Sequence, residues 1–364
     1  MATTENATLD RETVARLDRS DLVTDVLGIP EHLRDALWKV ESAGLQPWDS
    51  PGGLVVAGMG GSGIGGPLAR AILGDQASRP LLGARTYGLP PWTTPDTTVL
   101  CASYSGNTEE TLACYEAAGI IGARRVVVTA GGRLADLARA DGVPVIPVAG
   151  GFQPRAAVAY MTVAALEVAA LCGVGPRMNS EIDVAAEHLE ELVVAWAPDG
   201  DENSEPKALA RALHGTVPII TGAGLTSPIA YRWKTQVNEN AKAPAYSVEL
   251  PEADHNEIVG WANAAEFGRF AAVFLDDSDT HPRVAERIER TRAIVEAGAS
   301  GVHRVATRGQ TAAERVFSLV LLGDLVSLYL AVLRGVDPSP VPAIDRIKAE
   351  LAETARGGED ELRG

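Results

Sequence analysis

Cysteine is scarce in this sequence: Cys101, Cys114 and Cys172 are the only three in 364 residues. Three scattered thiols make neither a disulfide framework nor a zinc site, so a reducing, cytoplasmic setting is expected. Basic residues are outnumbered as well, 32 against 48 acidic ones, for a net charge of −16 with no Lys/Arg cluster. Binding to a phosphate backbone needs a basic stripe, so nucleic acid is excluded as a partner. The opening MATTENATLDRETVARLD contains no apolar signal core. Long hydrophobic runs are nearly absent: Val316–Leu333 approaches membrane-spanning length, no other segment comes close, and Asp324 sits in its middle beside Gly323. A charge there is expensive in lipid, so a buried core helix is expected and no membrane segment.

What remains is the composition of an ordinary globular protein, 46% hydrophobic and 22% charged. A chain this long exceeds a single core of roughly 100–200 residues, so two lobes are expected, residues 1–175 and 176–364, with a cleft between them. In the first half, short apolar runs at Leu54–Ala57, Thr98–Ala102, Arg125–Thr129 and Val143–Val148 alternate with amphipathic stretches at Pro67–Leu73, Glu109–Ala118, Leu134–Ala140 and Arg155–Leu171. Strands separated by helices of this length predict βαβ units, hence an α/β fold with a parallel sheet. Ala197–Lys207, rich in Pro, Gly and acid, reads as an exposed loop between the lobes. Beyond it the pattern restarts with a strand at Val217–Thr221 and a helix from about Pro228. VVAGMGGSGI and IITGAGLTSPI share the order strand, Gly-x-Gly, small polar turn, helix, as two copies of one unit would. Val341–Arg356 has helical spacing and is expected to pack across the cleft or onto a second subunit.

Gly58, Gly60 and Gly63 match the dinucleotide pattern GxGxxG. A dinucleotide site also needs an acid for the ribose about 20 residues on, and Leu81–Gly88 (LLGARTYG) has none. A smaller anion suits the same turn: glycines allow close approach, the amides of Gly61 and Ser62 point inward, and a helix N-terminus follows. The next strand ends in Ser103-Tyr104-Ser105-Gly106-Asn107-Thr108, where Ser103, Ser105 and Thr108 offer three hydroxyls. Taken alone, Thr108 is equally a helix cap with a capping-box partner near Thr111. Two such turns at successive strand ends favour one phosphate pocket, because ligands bind at the carboxyl edge of parallel strands. GMGGSGI together with SYSGNTEET resembles the sugar isomerase (SIS) domain, which implies two SIS-type parallel-sheet α/β lobes with helices on both faces and a phosphosugar ligand.

Acid and base groups are dense in the second lobe, where YRWKTQVNENAK and EADHNEIVGW hold Glu239, Lys242, His255 and Glu257. Moving a proton between C1 and C2 of an aldose needs one base, and ring opening needs a second group. Read without context, Glu239 is more often a solvated helix residue, and His255 is a loop or core histidine as often as a catalyst. His255-Asn256-Glu257 also matches the H-x-E of zinc deaminases, but no PCxxC follows and a metal site is excluded.

NENAK followed by HNEI, with His255 sixteen residues after Glu239, resembles the bifunctional phosphoglucose/phosphomannose isomerase family over nearly the whole chain. The resemblance implies interconversion of glucose 6-phosphate, mannose 6-phosphate or both with fructose 6-phosphate, without metal or nucleotide cofactor. It implies Glu239 as the base working through a cis-enediol, His255 as the residue aiding ring opening, and Arg155 of GGFQPRAAV beside the phosphate and enediol oxygens. It also places Lys348 of the tail in the site and makes the protein a homodimer. Gly65-Gly66-Pro67 departs from the family, which often has a further polar residue after GSGI. A sugar-phosphate sensor without turnover, or an isomerase of another phosphosugar, remains open on this reading.

Overall fold

The computed structural model describes residues 8–361, with side chains as far as Leu351. Three helices lead in: α1 (Arg11–Leu17), α2 (Leu22–Leu27) and α3 (Ile29–Ser42). The first α/β unit follows as β1 (Leu54–Ala57), α4 (Gly60–Gly63), α5 (Gly65–Leu73), β2 (Leu81–Ala84), β3 (Thr98–Ala102), α6 (Glu109–Ile121), β4 (Arg124–Thr129), α7 (Gly132–Ala140), β5 (Val145–Pro147) and α8 (Val158–Leu171). Two helices, α9 (Asn179–Trp196) and α10 (Glu205–Leu213), connect to the second unit. That unit comprises β6 (Val217–Ala223), α11 (Ser227–Asn240), β7 (Tyr246–Leu250), β8 (Phe270–Asp276), α12 (Pro282–Val295), β9 (Gly301–Ala306) and α13 (Ala312–Leu333). The tail forms α14 (Pro342–Glu361).

Both sheets are parallel, in the orders β2-β1-β3-β4-β5 and β7-β6-β8-β9. In each, the chain runs outward in opposite directions from its first strand, so a switch point opens between β1 and β3 and another between β6 and β8. The two-residue period of a strand sends Leu54 and Val56 into a large central core and Val55 and Ala57 into a smaller outer one. The central core also takes in Ile220 and Val273 of the second sheet and most of α8 and α13, so the two units share one apolar layer. It continues through Cys172, Met178 and Ile182, with no break near residue 175.

Helix α13 is apolar all round and buried, as such a helix has to be. Its start is set by a reciprocal cap, in which the Glu314 amide donates to Thr311 Oγ1 (3.2 Å) and the Thr311 amide to Glu314 Oε2 (2.7 Å). Asp324 survives in this apolar helix because Arg232 of α11 grips it with two bonds, Nε to Oδ1 at 3.0 Å and Nη2 to Oδ2 at 2.6 Å. One turn away the Trp233 indole donates to the Leu319 carbonyl (2.8 Å) and lies where any side chain on Gly323 would have to go.

Three expectations need correction. Pro154–Leu171 also has the length and hydropathy of a membrane span, and like α13 it is largely buried in the core. Lys207 is not in an exposed loop: it lies in the first turn of α10, fully buried, with Nζ donating to the carbonyls of Pro198 (2.8 Å) and Gly200 (3.1 Å). Those carbonyls line a tight polar turn, which makes the sequence around the lysine look like a solvated loop. Within the chain, α14 does not pack across the cleft; residues 342–351 are exposed along it.

Removing one partner of a buried ion pair leaves the other charge stranded at a cost of about 3–5 kcal/mol. Asp324→Asn is expected to lower unfolding free energy by about that amount in urea titrations, against less than about 1 kcal/mol for an exposed control such as Asp136→Asn.

Candidate active site

The first switch point is where the chemistry collects. The backbone after β1 turns so tightly that a Cβ on Gly58 would sit 2.7 Å from the Ala102 carbonyl oxygen. Gly60 takes a left-handed φ of 52°, which lets α4 start at once instead of at Pro67. Gly61 is pressed against the turn that opens α8: its Cβ would lie 2.7 Å from Arg155 Cα. Ser62, buried, accepts the Tyr104 amide on Oγ at 3.0 Å.

After β3, Ser103 Oγ and Thr108 Oγ1 share a hydrogen bond of 2.8 Å, and Ser103 Oγ also accepts the Gly106 amide at 3.1 Å. Thr108 occupies the N-cap position of α6 but makes no side-chain cap, so its hydroxyl serves the turn. Ser105 stays exposed, with Asn107 N donating to its Oγ at 3.3 Å. Gly61, Ser62, Ser103, Ser105 and Thr108 therefore lie on two facing turns, Ser62 and Ser103 bracing them from inside and Ser105 open to solvent.

The second switch point repeats the topology without the chemistry. Thr226 Oγ1 is consumed by its own turn, accepting the Ala223 amide at 2.9 Å. The adjoining strand runs out through Asp276 to Asp277, whose carboxylates are paired with Arg304 (2.5 Å) and Arg315 (2.8 Å) and, as acceptors, offer an anion no donor.

Arg155 joins the first-lobe turns to the second lobe. Its guanidinium is buried, with Nε donating to Asn240 Oδ1 (2.7 Å) and Nη2 to the carbonyls of Pro338 (2.9 Å) and Ser339 (3.0 Å). Nη1 faces Gln153 Oε1 (3.4 Å) and Glu239 Oε2 (3.7 Å). Burial lowers the guanidinium's affinity for its proton, and Glu239 opposes that shift. The last turn of α11 thus sets Glu239, about one quarter exposed, over a fixed cation. Lys242 follows with a left-handed φ of 53°, unusual outside glycine; its Nζ donates to the Glu239 carbonyl and to Pro338 O (2.8 Å). Burial, then repulsion from Arg155, depresses the Lys242 pKa.

The single chain leaves two candidates apart. His255 is exposed at the end of a 3-10 turn after the edge strand β7, and Lys348 is exposed on α14. Among the described residues, no hydrogen bond or ion pair links either to Glu239. The His255 turn is nonetheless anchored, since its neighbour Asp254 accepts from Thr291 Oγ1 (2.6 Å) and Arg287 Nη1 (3.1 Å) of α12. A hollow of about 360 Å³ borders Glu239. A larger groove, about 1010 Å³, lies between β2 and the start of α11 and contains none of the residues of the Glu239 or Ser/Thr-turn clusters. Neither hollow is lined by Arg155 or the Ser/Thr turn, and of the candidate residues only Glu239 borders the smaller one. Among the described residues, no cluster of three His, Cys, Asp or Glu side chains is placed to hold a metal.

Sequence reasoning missed Asn240, Pro338, Tyr104 and Asp25. Asn240 was within reach, as the residue after Glu239 in NENAK; the others meet the site only through the fold. Asp25 of α2 accepts the Gln153 amide beside Arg155, and burial, helped by Asp21 and Asp18, raises its pKa to about 6.

A parallel α/β sheet with a glycine turn and a Ser/Thr turn at its switch point, faced by a carboxylate over a buried arginine, is a sugar isomerase (SIS) domain. The hypothetical protein TT0462 of Thermus thermophilus superposes with a TM-score of 0.71 over 95% of this chain and 93% of its own, at 18% identity, which supports the fold. Residues 202–351 match the family model of the bacterial phospho-glucose isomerase C-terminal SIS domain. The bifunctional phosphoglucose/phosphomannose isomerase of Caldicellulosiruptor bescii is 40% identical over 82% of this chain and 89% of that protein. The enzyme of the same description from Aquifex aeolicus is 37% identical over 87% and 95%. The chain belongs to the bifunctional phosphoglucose/phosphomannose isomerase family.

The Asp25 shift has a defined sign. Its native pKa lies above the ordinary 3.8, so the folded protein holds a proton between roughly pH 4 and 6 that the unfolded chain has released, and stability falls as pH rises through that window. Asp25→Asn is expected to gain about 1 kcal/mol at pH 7.5, after discounting for partial exposure, and nothing near pH 4. Urea unfolding at the two pH values measures this, and an equal effect at both refutes it.

Proposed function

We propose that this chain is an aldose–ketose isomerase interconverting glucose 6-phosphate and mannose 6-phosphate with fructose 6-phosphate. The observation that carries the reading is Arg155, which packs through its backbone on Gly61 of the phosphate turn and meets Glu239 with its guanidinium at 3.7 Å. One residue thereby holds the anion turn and the base at a fixed separation, as moving a proton between neighbouring carbons of a tethered substrate requires. The phosphate is held by the Gly61 amide and the hydroxyls of Ser103, Ser105 and Thr108; the Ser62 amide, expected from the sequence to join them, is already bonded to the Met59 carbonyl (3.1 Å). Glu239 takes the proton from one carbon and returns it to the other through a cis-enediol, while Nη1 of Arg155 stabilises the enediol oxygens. This route draws on a base and fixed cations, and we assign it neither a metal nor a nucleotide.

The site is completed by a second copy of the chain. Ile344, Ile347 and Leu351 stand 40%, 55% and 48% exposed at helical spacing on α14, and Val259 and Phe267 near His255 are still more open. Covering these surfaces by dimerisation brings His255 and Lys348 of one subunit to Glu239 of the other, where His255 assists ring opening and Lys348 adds positive charge. Its three cysteines are free and buried, which fits a cytoplasmic homodimer. We divide the chain at residue 175, in the Gly173–Gly175 turn after α8, although the core is continuous across it.

Glu239→Gln is expected to lower kcat about 10²–10⁴-fold with either aldose phosphate. Absence of fructose 6-phosphate formation by the wild type with both aldoses overturns the reading. Mixing refolded Glu239→Gln and His255→Ala subunits in equal amounts is expected to restore about a quarter of wild-type activity, because half the dimers carry one intact site. A monomeric mass in sedimentation contradicts the dimer, and no recovery on mixing contradicts a site shared between subunits.

A further inference from the structure

Tyr104 lies between the two serines of the phosphate turn, yet its side chain points away from the anion. The ring is nearly buried beside Phe152, with centroids 6.5 Å apart. Its phenol oxygen accepts the Phe152 amide at 2.8 Å and donates to the Ala149 carbonyl at 3.2 Å. Two backbone bonds to one hydroxyl are more than filling the space requires. The segment so held, Ala149–Phe152, contains Gly151 at a φ of 101° and runs three residues later into Arg155. The backbone of Tyr104 is tied at its other end, its amide to Ser62 Oγ (3.0 Å) and its carbonyl to the Ala130 amide (3.1 Å).

These contacts close a ring. The glycine turn holds the Ser/Thr turn through Ser62, the Ser/Thr turn holds the 149–152 loop through the Tyr104 phenol, and the loop returns to the glycine turn where Arg155 meets Gly61. We propose that Tyr104 is a positioning residue that fixes Arg155, and through it Glu239, relative to the bound phosphate. The Arg155 guanidinium is also held from the second lobe by Asn240 and Pro338, so the phenol supplies the anchor on the first-lobe side. Without it only the Arg155–Gly61 contact ties the cation to the anion turns, and a displacement of about 1 Å is enough to cost up to about a hundredfold in rate.

The inference rests on the isomerase reading above, and the test separates the two. Tyr104→Phe keeps the ring and removes only the hydroxyl. The expected result is a fall in kcat of at least about tenfold, with the Kd for inorganic phosphate, read by calorimetry, within about twofold of wild type. Because the phenol acts through Arg155, the same change in an Arg155→Lys background is expected to cost less than about twofold. Unchanged kcat, a loss of phosphate affinity parallel to the loss of rate, or additive effects in the double variant each overturn the proposal. If Tyr104→Phe does not fold, Tyr104→His, whose shorter ring does not reach the 149–152 backbone, is subjected to the same readouts with the same outcomes. An inactive wild type sinks the isomerase reading and this proposal together, whereas an active wild type with an unaffected Tyr104→Phe sinks this proposal alone.

Discussion

The guanidinium of Arg155, buried between two α/β units, is the interaction on which the rest of the structure depends. Taking such a charge out of water costs several kcal/mol unless each donor finds an acceptor. Here Asn240, Pro338, Ser339 and Gln153 supply hydrogen-bond acceptors, and Glu239 supplies the balancing charge. The satisfaction is mutual: α11 and the loop before α14 are located by the same bonds that make the buried arginine tolerable. Arg232 extends the link, donating to the Arg155 carbonyl (3.0 Å) while it grips Asp324 at the centre of α13. Arginine suits both places because its planar fork reaches several acceptors in fixed directions, which a lysine ammonium does not.

The two units share one topology and differ in the residues at their switch points. In the first, the switch point carries glycines and hydroxyls, and the anion is expected there. In the second, Thr226 closes its own turn and Asp276 and Asp277 replace the Ser/Thr run, so the repeat lends its helix instead. Glu239 sits at the end of that helix and faces the first copy's turns across the shared core. On the proposed reading, one unit binds the phosphate and the other supplies the base.

Much of the first unit was legible because local physics fixes it. Apolar runs at Leu54–Ala57 and Thr98–Ala102 became β1 and β3 without adjustment, since strands buried on both faces read as unbroken hydrophobic segments. Boundaries slipped where glycine was misread: α4 begins at Gly60, well before Pro67, because Gly60 reverses the chain at once, and α5 begins at Gly65. The tail helix was visible from its period, but its missing partner face was not, since periodicity reports an amphipathic surface and never what covers it. Lys207 and Pro154–Leu171 were misread for a related reason. Burial of a lysine, or of an apolar helix, is decided by what packs around it.

The sequence by itself determined the local chemistry of this protein: the glycine and Ser/Thr turns, the absence of a ribose acid, and the segment that carries Glu239 and His255. Each depends on residues within a few positions of one another, where backbone freedom, capping and hydrogen-bonding capacity act directly. Only the tertiary structure decided that Glu239 stands over Arg155, that Tyr104 ties two turns together, and that His255 and Lys348 lie at the surface of their own chain. Those relations join residues 42 to 184 positions apart, from Ser62–Tyr104 to Arg155–Ser339, and they hold only once a common core has formed to bring the two units together.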